Sequence, residues 1–194
     1  MRHCFFVLMC LTLGFGYTAQ TPASAGYKAY AKQMLAHPPK GARYRPDLER
    51  ALNAMASAAR ARAGVSRLKA STIARSPARA QALEMIIGNF VGHHSRSGAG
   101  LSTRFRAFSR RDYSALGENA ARNRRRGPVN ATKARQLFQQ WLNSSGHRHN
   151  LMNPDYRYVS TGAVQIRGHL YAVQLFYRLA PKGRKRNPFT IISR

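Results

Sequence analysis

Residues 141–154, WLNSSGHRHNLMNP, are the stretch of this sequence that decides the fold. Apolar residues recur at helical spacing just before and into it, which predicts a helix that Asn130 caps and that ends at about Leu142. The apolar face of this helix consists of Ala134, Phe138, Trp141 and Leu142. At that spacing the aromatic side chains are typical of helix core rather than of a ligand platform.

Three further segments accompany this stretch in a fixed order. They are residues 60–68 (RARAGVSRL), residues 85–98 with NFVGH at 89–93, and residues 117–120 (GENA). Together with Gly162 and residues 171–176, they resemble the CAP (SCP-like) superfamily of cysteine-rich secretory, antigen-five and pathogenesis-related proteins, in its bacterial extracytoplasmic form. The resemblance covers roughly residues 48–178. It implies an α/β fold, a three-layer α-β-α sandwich with a central cavity lined by histidine and glutamate.

Position by position, the resemblance implies that His93, Glu118 and His147 line this cavity. We include their sequence neighbours Asn119 and Arg148 in the candidate site. An ion pair of Arg148 with Asp155 is an equal alternative to a cavity contact. Asn119 and Asn150 are interpreted as side chains that satisfy backbone groups.

Two positions qualify this assignment. His94 competes with His93, but the spacing from Met85 and to Gly98 favours His93. Many eukaryotic members carry a second glutamate three residues after the tryptophan, where this sequence has Ser144. The resemblance therefore implies a set of three residues instead of four, and it argues against any mechanism that needs two carboxylates.

The chemistry of the three residues leaves three functions open. Two imidazoles and one carboxylate are the ligands of a divalent metal site of the His₂Glu type, for example zinc, whose bound water would be a nucleophile. Without a metal, a glutamate beside a histidine forms a general base pair. The same groups could also hydrogen-bond one another as a satisfied polar network around a ligand cavity. No serine or cysteine in the sequence is marked as a nucleophile by its surroundings.

The N-terminal region is typical of an export signal. A short positive start precedes an apolar run over residues 4–17, which is too short to span a bilayer. An A-x-A cleavage site at residues 23–25 predicts a mature chain that starts at Gly26. Both cysteines, Cys4 and Cys10, lie in the segment that would be removed, so the mature chain would fold without disulfides. We expect a periplasmic or extracellular protein that does not span the membrane after cleavage.

The charge is strongly unbalanced, with 33 lysines and arginines against 6 acidic residues and a net charge of +27. Such a surface attracts polyanions such as anionic envelope lipid or polysaccharide, and it is also compatible with a merely solubilising role. Export and the lack of a recognisable nucleic-acid module count against nucleic acid. The arginine clusters are compatible with a basic rim around the cavity loop, although such runs are usually just solvated, and they comprise Arg104, Arg106, Arg110, Arg111 and residues 122–126.

The rest of the chain divides into a signal peptide (1–25), a tether (26–44), one domain (45–180) and a basic tail (181–194). Pro38 and Pro39 suggest the tether. Within the domain we predict helices over about 47–63 and from an N-cap at Ser76 to Ile87. Residues 91–128 are predicted to be a long loop region with at most a short strand. Two strands, 156–166 and 169–177, are predicted to flank a tight Arg167-Gly168 turn.

These observations predict an exported protein without a clear enzymatic role. Its cavity would bind a small ligand, for instance an apolar one, or a divalent cation, and its basic surface would meet anionic partners. The alternative is a metal-assisted hydrolase of peptide or ester bonds that uses the same cavity.

Overall fold

The computed structural model of this protein describes residues 23–181. The signal peptide predicted for residues 1–25 and the tail predicted for residues 181–194 lie almost entirely outside these residues, so both remain predictions. No helix within residues 23–181 combines the length and the apolar character that a membrane crossing requires.

Six helices and five strands form the described part of the chain. In order they are α1 (Ala23–Ala36), β1 (Arg43–Tyr44), α2 (Pro46–Arg62), β2 (Lys69–Ala70), α3 (Arg75–Ile87), α4 (Leu101–Phe108), β3 (Tyr113–Asn123), α5 (Ala131–Asn143), α6 (Ser145–Met152), β4 (Tyr158–Ile166) and β5 (His169–Leu179). The sheet has the order β1-β4-β5-β3, and β2 pairs in parallel with the start of β4. Strand β3 is therefore an edge strand.

The sheet separates two hydrophobic cores, which confirms the predicted three-layer α-β-α sandwich. Along β5, Leu170, Ala172 and Phe176 pack into the core below α2, α5 and α6. The alternate residues Tyr171, Val173, Leu175 and Tyr177 pack into the core below α1, α3 and α4. Because side chains alternate between the two faces of a strand, a single strand supplies both cores.

Several elements match their predictions closely. Helix α5 follows Asn130, whose side chain accepts a hydrogen bond from the Lys133 amide at 3.2 Å. Arg167 and Gly168 have φ angles of 47° and 78°, and positive values at both positions are what a two-residue type I′ hairpin turn requires. Helix α3 begins at Arg75, one residue before the predicted Ser76 cap, and its end residue Ile87 is exposed.

The tether predicted for residues 26–44 is wrong over the residues that form α1. Tyr27, Ala31 and Met34 are buried in the core on one side of the sheet. These residues recur at positions i, i+4 and i+7, so they form one apolar face of a helix despite the polar composition around them. Pro38 and Pro39 follow the helix and account for its end near Ala36.

The loop region predicted for residues 91–128 is also wrong, because it contains α4 and the 11-residue strand β3. The sequence of β3 is rich in alanine, glycine and asparagine, which are not strand formers. Its pairing with β5, which runs from Tyr113 opposite Leu179 to Asn123 opposite Leu170, compensates for this weak local preference. Tertiary pairing therefore creates the strand that carries the GENA segment.

Candidate functional site

Glu118 is the centre of a buried charge cluster on the edge strand β3. Its side chain is only 2% exposed. Oε1 of Glu118 accepts a hydrogen bond from Nδ1 of His93 at 2.9 Å, and Oε2 accepts one from Nη2 of Arg104 at 2.5 Å. Both carboxylate oxygens are therefore engaged by cationic or protonatable groups.

Arg104 holds this cluster together from α4. The whole residue is buried, with 0% exposure. Its Nη1 donates to the carbonyl oxygens of His93 at 2.5 Å and of Ala99 at 3.1 Å, so the guanidinium fixes the backbone that carries the histidine as well as the carboxylate. This corrects the interpretation of Arg104 as part of a solvated rim. The sequence carried no distinguishing signal, since Arg106 two residues later is exposed.

The two layers of helices meet at the edge of β3. Strand alternation turns Glu118 toward the α4 side, as it does Ala120, and turns Asn119 toward α6 on the other side. His93 comes from the loop between α3 and α4, while His147 lies on α6. The charge of His93 is one of the causes that lower the pKa of His147, after burial.

The pKa values of the two histidines are shifted in opposite directions. The hydrogen bond to Glu118 raises the pKa of His93, against the opposing effects of burial and of Arg104. Burial, followed by the charge of His93, lowers the pKa of His147. Within the described residues Nδ1 of His147 is buried and has no hydrogen-bond partner. The site therefore favours an imidazolium at His93 beside a neutral imidazole at His147.

Two asparagines fasten α6 to the strand. Nδ2 of Asn119 donates to the carbonyl of His147 at 2.9 Å. Nδ2 of Asn150 donates to the carbonyl of Glu118 at 3.0 Å and to Oδ1 of Asn119 at 3.2 Å. This confirms that both side chains satisfy backbone groups, and it makes Asn119 a positioning residue for His147.

Steric crowding explains why the GENA segment has glycine at position 117. A Cβ built on Gly117 would lie 2.2 Å from the hydroxyl oxygen of Tyr156. The buried Tyr156 ring stacks on Phe176 in the core, so it has little freedom to withdraw. Gly117 therefore allows the chain to place Glu118 next to a filled core.

Two predicted neighbours of the site have other roles. Arg148 is exposed, and its Nη1 donates to the carbonyl of Leu142 at 3.0 Å near the end of α5. Among the described residues no ion pair joins Arg148 to Asp155, so this contact replaces that alternative, while its contact with the cavity stays a prediction. The exposed His94 contributes its carbonyl oxygen to Nε2 of Gln81 at 3.1 Å, whereas His93 is the histidine that contacts Glu118.

The predicted metal ligands do not form a site suited to a divalent cation. Within residues 23–181 no three histidine, cysteine, aspartate or glutamate side chains are grouped as a metal site requires. The positive guanidinium of Arg104 occupies the Glu118 oxygen that a cation would need. His93 contacts the other oxygen, so both oxygens of Glu118 already have partners, which counts against zinc at these three residues.

Comparison with known proteins agrees with this geometry. A model of the cysteine-rich secretory protein family, CAP, matches residues 42–176. The chain belongs to the CAP family. Its CAP domain includes every residue of the charge cluster and the whole of the sheet apart from the last strand residues.

Individual relatives of this CAP domain are distant. The uncharacterized protein YkwD of Bacillus subtilis is 28% identical over 111 residues, which are 57% of this chain and 40% of that protein. An extracellular SCP-domain protein of Bacillus anthracis superposes with a TM-score of 0.56 at 23% identity, over 68% of this chain and 40% of the other. An outer surface protein of Borrelia burgdorferi gives a TM-score of 0.60 at 15% identity, over 71% of this chain and 98% of the other. These likenesses establish the fold that the two structures share with this chain.

Proposed function

We propose that this CAP domain is a binding protein that acts outside the cytoplasm and holds a small ligand through a carboxylate or phosphate group at the exposed ring of His93, a place that we name the His93 cleft. The observation that carries the proposal is the chain of contacts from Arg104 through Glu118 to His93. It fixes one ring nitrogen of His93 on a buried carboxylate and leaves the other ring nitrogen for a ligand.

The electrostatics of the cleft favour an anionic group. The contact with Glu118 raises the pKa of His93, so the free ring nitrogen is a charged donor over more of the neutral pH range. Arg104 compensates the charge of Glu118, which leaves the positive charge of His93 unbalanced. His93 is 53% exposed, so the cleft is open to solvent on this side. A charged donor in an open cleft recognises an acceptor oxygen.

Hydrolysis is less well supported by the geometry. Serine hydroxyls precede His147 in the sequence, but in the described residues no hydrogen bond joins His147 to Ser144 or Ser145. A nucleophilic serine needs such a contact with its base. The alternative of a metal-assisted hydrolase would also need the metal set that Arg104 obstructs.

Two observations support a site of action outside the cytoplasm. The N-terminal sequence has the pattern of an export signal. Two proteins of the same fold are an extracellular protein and an outer surface protein. The excess of basic residues would then face an envelope rich in anionic lipid and polysaccharide, and attraction to such material would weaken with salt.

The test is a titration of the histidine ring signals by NMR at fixed pH and ionic strength, with inorganic phosphate, acetate and zinc chloride as separate probes. We expect saturable shifts of the His93 and His147 ring signals with phosphate or acetate, and a loss of the saturable His147 shift in His93→Gln. Glu118→Gln should weaken the binding without abolishing it, because the ring stays but its charged form loses its partner. The exposed His149 on α6 provides the matched control, His149→Gln, which should bind like the parent protein.

Two outcomes would overturn the proposal. Signals that move only in proportion to probe concentration, equally in the parent protein and His93→Gln, would show that the cleft holds no anion. Stoichiometric zinc binding that is lost in His93→Gln and His147→Gln would assign the cleft to a metal instead.

A further inference from the structure

We propose a second ligand site, separate from the His93 cleft, that binds a group bearing two neighbouring phosphates. It is a cavity of about 340 Å³ at one end of the sheet, which we name the basic groove. Five basic side chains and one tyrosine line it, namely Arg67, Lys69, Arg111, Arg157, Arg178 and Tyr158.

Strand pairing brings these distant residues together. Lys69 of β2 pairs with Tyr158 at the start of β4, and its amide donates to the carbonyl of Arg157 at 2.9 Å. The amide of Arg157 donates in turn to the carbonyl of Tyr177, the neighbour of Arg178 on β5. Hydrogen bonds of the sheet therefore hold the backbones of the groove in a fixed arrangement.

The other wall of the groove comes from the segment before β3. Tyr113, at the start of β3, pairs with Leu179 at the end of β5. Nη2 of Arg111 donates to the carbonyl of Ala180 at 3.2 Å. Glu118 pairs with Leu175 further along the same ladder, so the groove lies away from the His93 cleft along the sheet.

Within residues 23–181 no acidic side chain forms an ion pair with the basic side chains of the groove. Four of the six acidic residues form ion pairs there, each with basic side chains outside the groove, and they are Asp47, Glu49, Asp112 and Glu118. Even Asp112, next to Arg111 in sequence, pairs with Arg106 at 3.4 Å. Five exposed cations around one cavity repel one another, and a bound anion would remove that repulsion.

The geometry and size of the groove select among anions. Four of the five cations are arginines, whose planar guanidinium groups bind phosphate oxygens in pairs. Five cations line a cavity of about 340 Å³, and two linked phosphates offer more acceptor oxygens to them than one phosphate does. The Tyr158 ring stacks on Tyr177, with centroids 5.5 Å apart, and offers a flat wall for whatever carries the phosphates.

The experiment is calorimetric titration of the full-length protein with inorganic pyrophosphate and, separately, with inorganic phosphate at about 0.15 M salt, where long-range attraction is screened. We expect one saturable pyrophosphate site and clearly weaker binding of phosphate. The test variant is R67Q/R178Q, since these two side chains are exposed and make no hydrogen bond in the described residues. The loss of two phosphate contacts should reduce affinity by about ten-fold or more.

The matched control is R125Q/R126Q, which removes the same charge from exposed positions outside the groove. It should leave pyrophosphate affinity within about two-fold of the parent value, because screened surface charges at a distance contribute little. An equal loss in both double variants would mean that pyrophosphate responds only to net charge, and it would overturn the proposal. The absence of any saturable binding would do the same.

A vesicle-binding measurement identifies the source of the phosphates. Binding to vesicles of anionic phospholipid that pyrophosphate displaces, and that R67Q/R178Q loses, would assign the groove to lipid headgroups. Vesicle binding that is the same in parent and R67Q/R178Q, together with lost pyrophosphate binding, would assign it to a soluble phosphate ligand. Both results support the groove as a diphosphate site, and neither depends on the His93 cleft.

Discussion

Replacement of Arg104 by methionine tests whether the buried charge cluster is the structural centre of the site. The variant keeps a long side chain on α4 but removes the guanidinium that donates to Glu118, His93 and Ala99. Glu118 would remain buried with one oxygen unpaired. Breaking a buried ion pair by removing one partner costs about 3–5 kcal/mol, and we expect Arg104→Met to lower the free energy of unfolding by that amount.

Most of this loss comes from the unpaired polar groups that remain after the substitution, and less from the lost hydrogen bonds themselves. The carbonyl of Ala99 keeps a second donor, since its oxygen also accepts the amide of Ser95 at 3.0 Å, so its contribution is small. The carboxylate of Glu118 keeps only His93, which is half exposed and titratable. The uncompensated carboxylate should therefore account for most of the loss.

The assay is urea denaturation of the parent protein and of a set of variants, followed by circular dichroism. Arg106→Met is the matched control on the same helix, because Arg106 is 45% exposed and pairs with Asp112 at the surface. It should cost less than about 1 kcal/mol. The double variant R104M/E118M contains no uncompensated charge, so it should be more stable than Arg104→Met alone.

Either of two results would show that Arg104 does not have this role. A loss of under about 1 kcal/mol in Arg104→Met would show that solvent or a rearranged side chain replaces the guanidinium. A double variant that loses the sum of the two single losses would show that Arg104 and Glu118 act independently.

Two more predictions follow from the packing and from the histidines. Gly162→Ala should destabilise the fold by about 1–3 kcal/mol or more in urea, because a Cβ at this position on β4 would lie 2.3 Å from the amide nitrogen of Arg79 and 2.4 Å from the carbonyl carbon of Ala78. The histidines should give opposite pH dependences. Since the folded pKa of His93 is raised, its contribution to stability is fully present below pH 6.5 and is lost as pH rises through the folded pKa. Since the folded pKa of His147 is lowered, the fold loses stability as pH falls from 6.5 toward that pKa. The urea midpoint should therefore depend less on pH above 6.5 in His93→Gln and less on pH below 6.5 in His147→Gln. Profiles identical to that of the parent protein would contradict both assignments.

The sequence predicted those elements whose local pattern agrees with their tertiary environment. Helix α5 has a capping asparagine, an apolar face and a defined end, and its observed bounds differ from the prediction by one residue. The β4–β5 hairpin has apolar strands around a turn that tolerates positive φ. In these segments the local preference and the final packing give the same answer, which is why a pattern in one sequence is sufficient.

The local sequence pattern does not predict strand β3 and helix α1, because their stability comes from partners far away in the chain. The alanines and asparagines of β3 have low strand preference, and the strand exists through its ladder with β5. In α1 three buried residues are spread among polar ones, and their burial depends on the partners that α3 and α4 supply. Neither set of partners is adjacent in sequence, so periodicity alone could not assign these elements.

The candidate site also contains residues that the sequence predicts and one that it does not. Glu118 and His93 were identified through the motifs that carry them, yet the residue that determines their chemistry, Arg104, belongs to no motif. The sequence alone does not distinguish a buried arginine from a surface arginine. Only the packing of α4 against β3 makes Arg104 buried and Arg106 exposed. Arg104 also bears on the proposed function, in which a guanidinium on Glu118 disfavours a cation and leaves His93 as a donor to anions. The most consequential part of this site is thus the positive charge buried behind the carboxylate, and a family motif that specifies only histidine and glutamate does not predict the ligand.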